Sequence, residues 1–395
     1  MKKHIKLLVV LGIILVGSFS FYLFKGYKKD ALVYENNKIK PSSSGIAMML
    51  ETSAGSGNYE MTTRSEWPTE GYVFNANLSK CENGSELSWD NENKKVLMNG
   101  NKSDKCYVYF DVYVKPRFDQ SCNDNTLACH TAKLYTGTQG ANNIYYHDAS
   151  LTNGAGDNSY RFAGASDAVN NYVCFGSSTT PCPADNLYRI IGVFGDKVKL
   201  IKSTSVGNKT WDSNTKNTWS TSSLNTYLNN EFINTFDETT KGKIADTTWK
   251  VGGNKNDNIS KQPAKIAYQN EVVKPVPGST SNGETEHPAK IGLMYASDYG
   301  FAAAQSAWTT NLYDYDGAAI KSANWMYLGS HEWTISRNAD YSNSAFNVNK
   351  SGFVAGYDNF NLVTIAHGVR PVFSLTSSVN YASGSGSATD PILVN

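Results

Sequence analysis

The residues of this sequence with chemistry to offer are six cysteines, six histidines and several stretches rich in tyrosine, asparagine and aspartate late in the chain. The cysteines are Cys81, Cys106, Cys122, Cys129, Cys174 and Cys182. None forms the CxxC spacing of a zinc or redox site, and an even count suits disulfides made in an oxidising compartment. Pairing of neighbours closes the shortest loops: Cys81–Cys106, Cys122–Cys129 and Cys174–Cys182. The histidines are scattered, and His331-Glu332-Trp333 lacks the second histidine of the zinc-binding HExxH helix. There is no GxSxG and no phosphate-cradling glycine loop. No particular pair of carboxylates stands out for glycoside hydrolysis, whose geometry is spatial rather than sequential. The expectation is a chain with no catalytic centre, no metal and no cofactor.

What remains is recognition. Tyr313, Asp314 and Tyr315, then Tyr341 and Asn343, then Tyr357, Asp358 and Asn359 lie in three polar stretches. Tyrosine supplies rigid contact area and asparagine adaptable hydrogen bonds, which is the chemistry of a binding surface. These stretches are predicted to meet on one face and bind an extracellular glycan or protein, in the manner of an adhesin. A structural envelope or stalk protein without a soluble ligand is the alternative, and an unrecognised extracellular hydrolase the third. Trp333, Arg337 and Arg370 sit in apolar, strand-like contexts. A buried arginine needs partners, so a structural role is expected of both arginines, with recognition of a ligand carboxylate or phosphate as the other reading. A net charge of +1 gives no electrostatic case for nucleic acid.

The elements that must position these residues follow in order. Lysines flank an uncharged run over residues 7–24, ending Phe21-Tyr22-Leu23-Phe24. Its length and aromatic end predict an uncleaved transmembrane helix in contact with the lipid bilayer rather than a cleaved leader. The organisation expected is a cytoplasmic tip and anchor over 1–24, a spacer over 25–57, a small β module over 58–115, a loop-rich connection over 116–186 and a large domain over 187–395. The protein would then be a single-pass plasma-membrane protein with an extracellular C-terminal part. In the small module, Tyr107, Tyr109 and Tyr113 alternate with Val108, Phe110, Val112 and Val114, the period of a strand. In the large domain, 187–201 reads as a hairpin closed by Gly195-Asp196. Ser222 and Ser297 are predicted to cap two helices, and a cluster of short strands follows from Trp325 to Leu375. That order predicts an α+β fold.

The stretches Trp333-Thr334-Ile335-Ser336-Arg337 and Gly368-Val369-Arg370-Pro371-Val372-Phe373, with the tail Asp390-Pro391-Ile392-Leu393-Val394, resemble an uncharacterised domain found in surface proteins of gut Firmicutes. That domain in turn resembles the C-type-lectin-like fold of formylglycine-generating enzymes. The resemblance covers roughly 187–395 and implies a C-type-lectin-like large domain closed by a Gly-x-Arg strand. It does not carry over the enzymes' activity, because no cysteine follows Cys182 and Pro371 follows Arg370. The Glu-Pro-Asn loop of calcium-dependent lectins is also missing. The small Cys-containing β module resembles one that recurs in the same kind of proteins.

Overall fold

The computed structural model describes residues 40, 45–53, 55–68, 71–90, 93–101, 103–112, 122, 124–275, 283–356 and 360–395. They divide into two units, one of residues up to 52 with 57–113 and one of 53–56 with 114–395.

In the smaller unit the alternation around residue 108 folds as its period dictates. Cys106, Val108 and Phe110 of the Cys106–Val112 strand are buried, while Tyr107 and Tyr109 point the other way. This strand is the hub of a five-stranded sheet. Ile46–Glu51 runs parallel to it and carries Tyr59–Thr62 on its far side, and Tyr72–Phe74 and Lys80–Cys81 pair with the hub antiparallel. A hairpin of Glu86–Asp90 and Lys95–Asn99 closes the core with Val96 and Met98. Ile46–Glu51 falls in the stretch expected as spacer. Its buried Ile46, Met48 and Leu50 make it a core strand, a pattern too short to stand out beside the Ser/Gly-rich residues around it.

The larger unit contains a nine-stranded and a six-stranded sheet. The predicted hairpin, Leu187–Phe194 with Lys197–Lys202, lies inside the first. Gly195 turns it with φ +60°, and Gly192 sits at a bulge where a Cβ would come within 2.2 Å of the Tyr160 carbonyl oxygen. Val372–Ser374 and Ile291–Gly292 extend the sheet one way, and Tyr172–Cys174, Ile392–Val394 and Tyr381–Ser383 the other. Ser159–Phe162 and Ile144–His147 also join it. The expected loop-rich connection thus supplies three strands and the Leu127–Lys133 helix. Each strand is only three or four residues long, and Ile144–His147 and Ser159–Phe162 bury the polar His147 and Arg161, so none carries a clean apolar period. The six-stranded sheet is built on Glu332–Asn338, flanked by Ala345–Val348 and Val354–Ala355 on one side and by Ala366–Gly368, Asn208–Thr210 and the parallel Gly253–Asn254 on the other.

The α+β class is corrected. Strand outweighs helix in the regular structure of the described residues, and their longest α-helices, Leu127–Lys133 and Ala296–Ala302, have seven residues each. Ser222 does cap a helix, accepting from the Asn225 N–H at 3.1 Å, but after Thr226 the helical turns change pitch and end by Thr235. The second helix starts after Tyr295, so Ser297 lies within it. Trp325 to Leu328 is a turn rather than a strand. Apolar spacing revealed helical turns but not how soon packing would stop them. The membrane reading is corrected as well. No helix among the described residues is long and apolar enough to cross a membrane, so neither the single-pass anchor nor the plasma-membrane location resting on it is supported. Residues 7–24 themselves lie outside the described residues.

The disulfides are Cys81–Cys106, Cys122–Cys129 and Cys174–Cys182, the neighbour pairing expected. Cys81 and Cys106 are directly opposed across two strands, with Cα atoms 4.0 Å apart. Replacing both by serine should cost the smaller unit ~2–4 kcal/mol. Hydrogen exchange should then quicken in Ile46–Glu51 and Cys106–Val112 and stay unchanged in the larger unit's central hairpin. Unchanged exchange in the small sheet would show that its core suffices without the bridge.

Candidate functional site

The Glu332–Asn338 strand is buried along its whole length and aims side chains at several parts of the larger unit. Trp333 is fully buried and donates its indole N–H to the Lys209 carbonyl oxygen at 3.0 Å. Glu332 receives Arg370, with Nε at 2.7 Å and Nη2 at 2.8 Å, and Nη2 also donates to the Met326 carbonyl oxygen at 2.7 Å. Burial pushes the Glu332 carboxyl up, against the downward pull of Arg370. Arg337 is buried too, and its Nη2 donates to the Glu284 carbonyl oxygen at 2.5 Å.

The loops expected to bind ligand separate into exposed and structural members. Tyr313 is 55 % exposed, Tyr341 42 % and Phe360, beside the third loop, 52 %; Asp314 and Asn343 are exposed too. Tyr315 is not available to a ligand. Its ring is fully buried and its hydroxyl donates to the carbonyl oxygens of Gly300 and Ala307. Tyr357, Asp358 and Asn359 lie outside the described residues. The Tyr341–Asn343 turn and the chain after Phe360 are joined, since Val363 N–H donates to Asn343 O at 2.9 Å and Ser344 bridges Leu362. Phe360 O accepts from Asn347 Nδ2 at 3.1 Å, beside the hairpin of Ala345–Val348 and Val354–Ala355. The Tyr313 ring rests 5.2 Å from that of Phe353, at the turn end of the same hairpin.

Sequence reasoning missed a buried ionic cluster around the start of the Ala296–Ala302 helix. Asp298 takes Lys199 Nζ at 2.5 Å and the Tyr295 N–H at 3.0 Å, with Arg161 at 3.6 Å. Arg161 also pairs with Asp157 at 2.6 Å. Glu271 accepts the N–H groups of Ala296 and Ser297 at 3.0 and 2.9 Å and the Ser336 hydroxyl. Burial raises the Glu271 carboxyl against those hydrogen bonds, and lowers Lys199 against the attraction of Asp298. His147 is held well below its usual range by burial and then by Arg161. Burial would raise Asp157 too, but Arg161, His147 and hydrogen bonds from Ser159 and Tyr268 outweigh it and bring the carboxyl to about 2. Nothing in the spacing of these residues signals the cluster, because six separate segments contribute to it, at 147, 157–161, 199, 268–271, 295–298 and 336. Its acids are met by protein donors, so its chemistry is that of a clamp.

A domain of unknown function, DUF6273, covers residues 195–377. The match takes in Lys199, Glu271, Asp298, Arg337, Arg370 and the exposed loops, and leaves out Asp157, Arg161 and the smaller unit. An uncharacterised domain thus covers most of the stretch from residue 187 onward where one was expected; its resemblance to the C-type-lectin-like fold is not confirmed. No curated protein and no solved structure matches this chain.

Two consequences follow for stability. The depressed Asp157 carboxyl contributes stability that is full above about pH 4 and lost as pH falls toward 2, on the order of 2 kcal/mol. Urea midpoints should drop across that window, and Asp157→Asn should be weaker at neutral pH and flatter below pH 4. An equally steep acid loss in the variant would remove Asp157 from the account. Arg370→Met should cost ~3–5 kcal/mol by stranding Glu332, while adding Glu332→Leu should recover most of that loss. Denaturant unfolding of the single and double variants checks both halves.

Proposed function

We propose that this protein is a non-catalytic binding protein whose larger unit holds a glycan on its late loops, through Tyr313, Tyr341 and Phe360 with Asp314 and Asn343 as hydrogen-bond partners. The observation carrying this reading is selective exposure. The large hydrophobic side chains left exposed among the larger unit's described residues are Ile266, Tyr313, Leu328, Tyr341 and Phe360. Three of the five are aromatic and lie beside asparagine or aspartate: Tyr313 packs on Phe353 at the turn of the Ala345–Val348 and Val354–Ala355 hairpin, and Tyr341 and Phe360 flank that hairpin in the chain. A flat ring with an apolar face and polar neighbours suits a ligand that itself alternates C–H faces with hydroxyls. The tryptophans of this unit are by contrast enclosed: Trp211, Trp219, Trp249, Trp308, Trp325 and Trp333 are all fully buried. Three disulfides suit a protein that works in an oxidising compartment, where free glycans and glycoconjugates are met.

A glycan array probed with the full chain tests the proposal. Binding to a defined group of glycans is expected, and Tyr341→Ala should weaken it at least tenfold while unfolding stability stays within about ±0.5 kcal/mol. Retention of full affinity by Tyr341→Ala and Tyr313→Ala would overturn the site. The absence of any glycan binding would favour a structural envelope role.

A further inference from the structure

One ion pair of this protein differs from the rest in a way that bears on covalent chemistry. Among the described residues, Lys241, Lys250, Lys255, Lys261 and Lys290 pair with carboxylates that are between 42 % and 93 % exposed. Water solvates those ions and keeps them apart as acid and base. Lys199 and Asp298 are enclosed together, with side chains 9 % and 3 % exposed and Nζ 2.5 Å from Oδ2. The enclosed pairs Arg161–Asp157 and Arg370–Glu332 carry a guanidinium instead. A guanidinium stays protonated in proteins and does not attack a carboxyl group, whereas a buried lysine gives up its proton and becomes a nucleophile.

The surroundings of the pair favour its uncharged form. Lys199 Nζ lies 4.8 Å from the ring centre of Tyr295, 5.4 Å from that of Phe194 and 5.8 Å from that of Trp249. Burial pulls Lys199 toward the neutral amine, against the attraction of Asp298 and Glu271. On the far side of the carboxylate, Arg161 Nη1 stands 3.6 Å from Asp298 Oδ1 and has no hydrogen-bond partner of its own. An unmet cation therefore faces the oxygen on which negative charge would develop if Nζ attacked Cγ. Keeping two ions out of water is costly, and an amide in their place carries no charge. Contact between the two groups, fixed by the fold, removes the entropic barrier that such a condensation meets in solution.

We propose that Lys199 and Asp298 condense in the folded protein to an intramolecular isopeptide bond. The Nζ–Cγ bond forms and the Cγ–Oδ2 bond breaks. Two of the three ammonium protons leave with Oδ2 as one water, the third stays on the amide nitrogen, and Oδ1 remains as the amide oxygen facing Arg161. Nothing is oxidised or reduced. The bond ties residues 99 apart in the chain, joining the Lys197–Lys202 strand of the nine-stranded sheet to the Ala296–Ala302 helix. Both residues lie within the stretch matched by DUF6273. The larger unit has one disulfide within each of its first two segments and no cysteine beyond Cys182, so this crosslink would be the covalent lock of its remaining half. The inference is independent of the glycan reading.

Mass spectrometry of the full chain tests this without any variant. The intact protein should be lighter, by the mass of one water, than its sequence and disulfides require. After reduction and trypsin digestion, Lys199 should appear uncleaved in a branched peptide joined to the peptide that carries Asp298. Lys199→Arg keeps the positive charge and cannot condense, so its chain should have the full mass. Should that variant fail to fold, the branched peptide of the wild type decides alone. A wild-type chain at full mass, with Lys199 in a linear peptide, would overturn the proposal. A Lys199→Arg chain still lighter by one water would overturn it too, since a succinimide at Asp298 loses the same mass without a crosslink. A branched peptide joining Lys199 to Glu271 instead would also overturn it.

Discussion

The larger unit depends on one buried ionic cluster at the start of the Ala296–Ala302 helix. Arg161 and Lys199 come to it from the nine-stranded sheet, Ser336 from the six-stranded sheet, and Asp298 and the first N–H groups from the helix. Buried charges are costly unless each is paired and hydrogen-bonded, and here cations and acids alternate from Asp157 through Arg161 and Asp298 to Lys199. The same interactions that neutralise the charges hold two sheets to one short helix. Apolar surface alone would let sheets slide; a cluster whose members come from both sheets specifies their register.

A scaffold held this way can spend its loops on other tasks, and much of their polarity is used internally. Asn217, Asn338, Asn347 and Asn361 are buried, and each donates its side-chain amide to backbone carbonyl oxygens of neighbouring loops. Irregular backbone leaves carbonyls without ladder partners, and a buried amide can stand in for the missing strand. Asparagine abundance in this chain therefore reports the number of irregular crossings as much as it reports a binding surface. Tyr341 and Phe360 stand exposed on backbone whose carbonyl oxygens are held by two of these amides, those of Asn217 and Asn347.

The smaller unit solves a different problem. Among its described residues the core has nine buried hydrophobic members, and a core of that size is marginal by itself. The Cys81–Cys106 bridge ties its hub strand to a neighbour, and the buried Glu51 carboxylate accepts the N–H groups of Gly57 and Val112, both at 2.9 Å. Covalent and charge-assisted links thus replace the apolar area that a larger domain would supply.

Local physics made part of this protein legible from its residues alone. Strict alternation about Val108, the Gly195 turn, the Ser222 cap and the pairing of neighbouring cysteines each depend on a few adjacent positions, and each is found in the structure. The presence of an uncharacterised domain was legible for the same reason, through short contiguous stretches. Fold class was not, because helical spacing does not say when a helix stops, and strands of two to four residues with polar members leave no period. Tertiary structure alone decided which tyrosines are free: Tyr313 and Tyr315 are two residues apart with the same polar neighbours, yet one ring is open to solvent and the other closes the core. It alone decided the arginines too, since Arg337 and Arg370 share an apolar context in sequence but differ in their partners. Burial and pairing are set by groups far apart in the chain, and no local pattern records them.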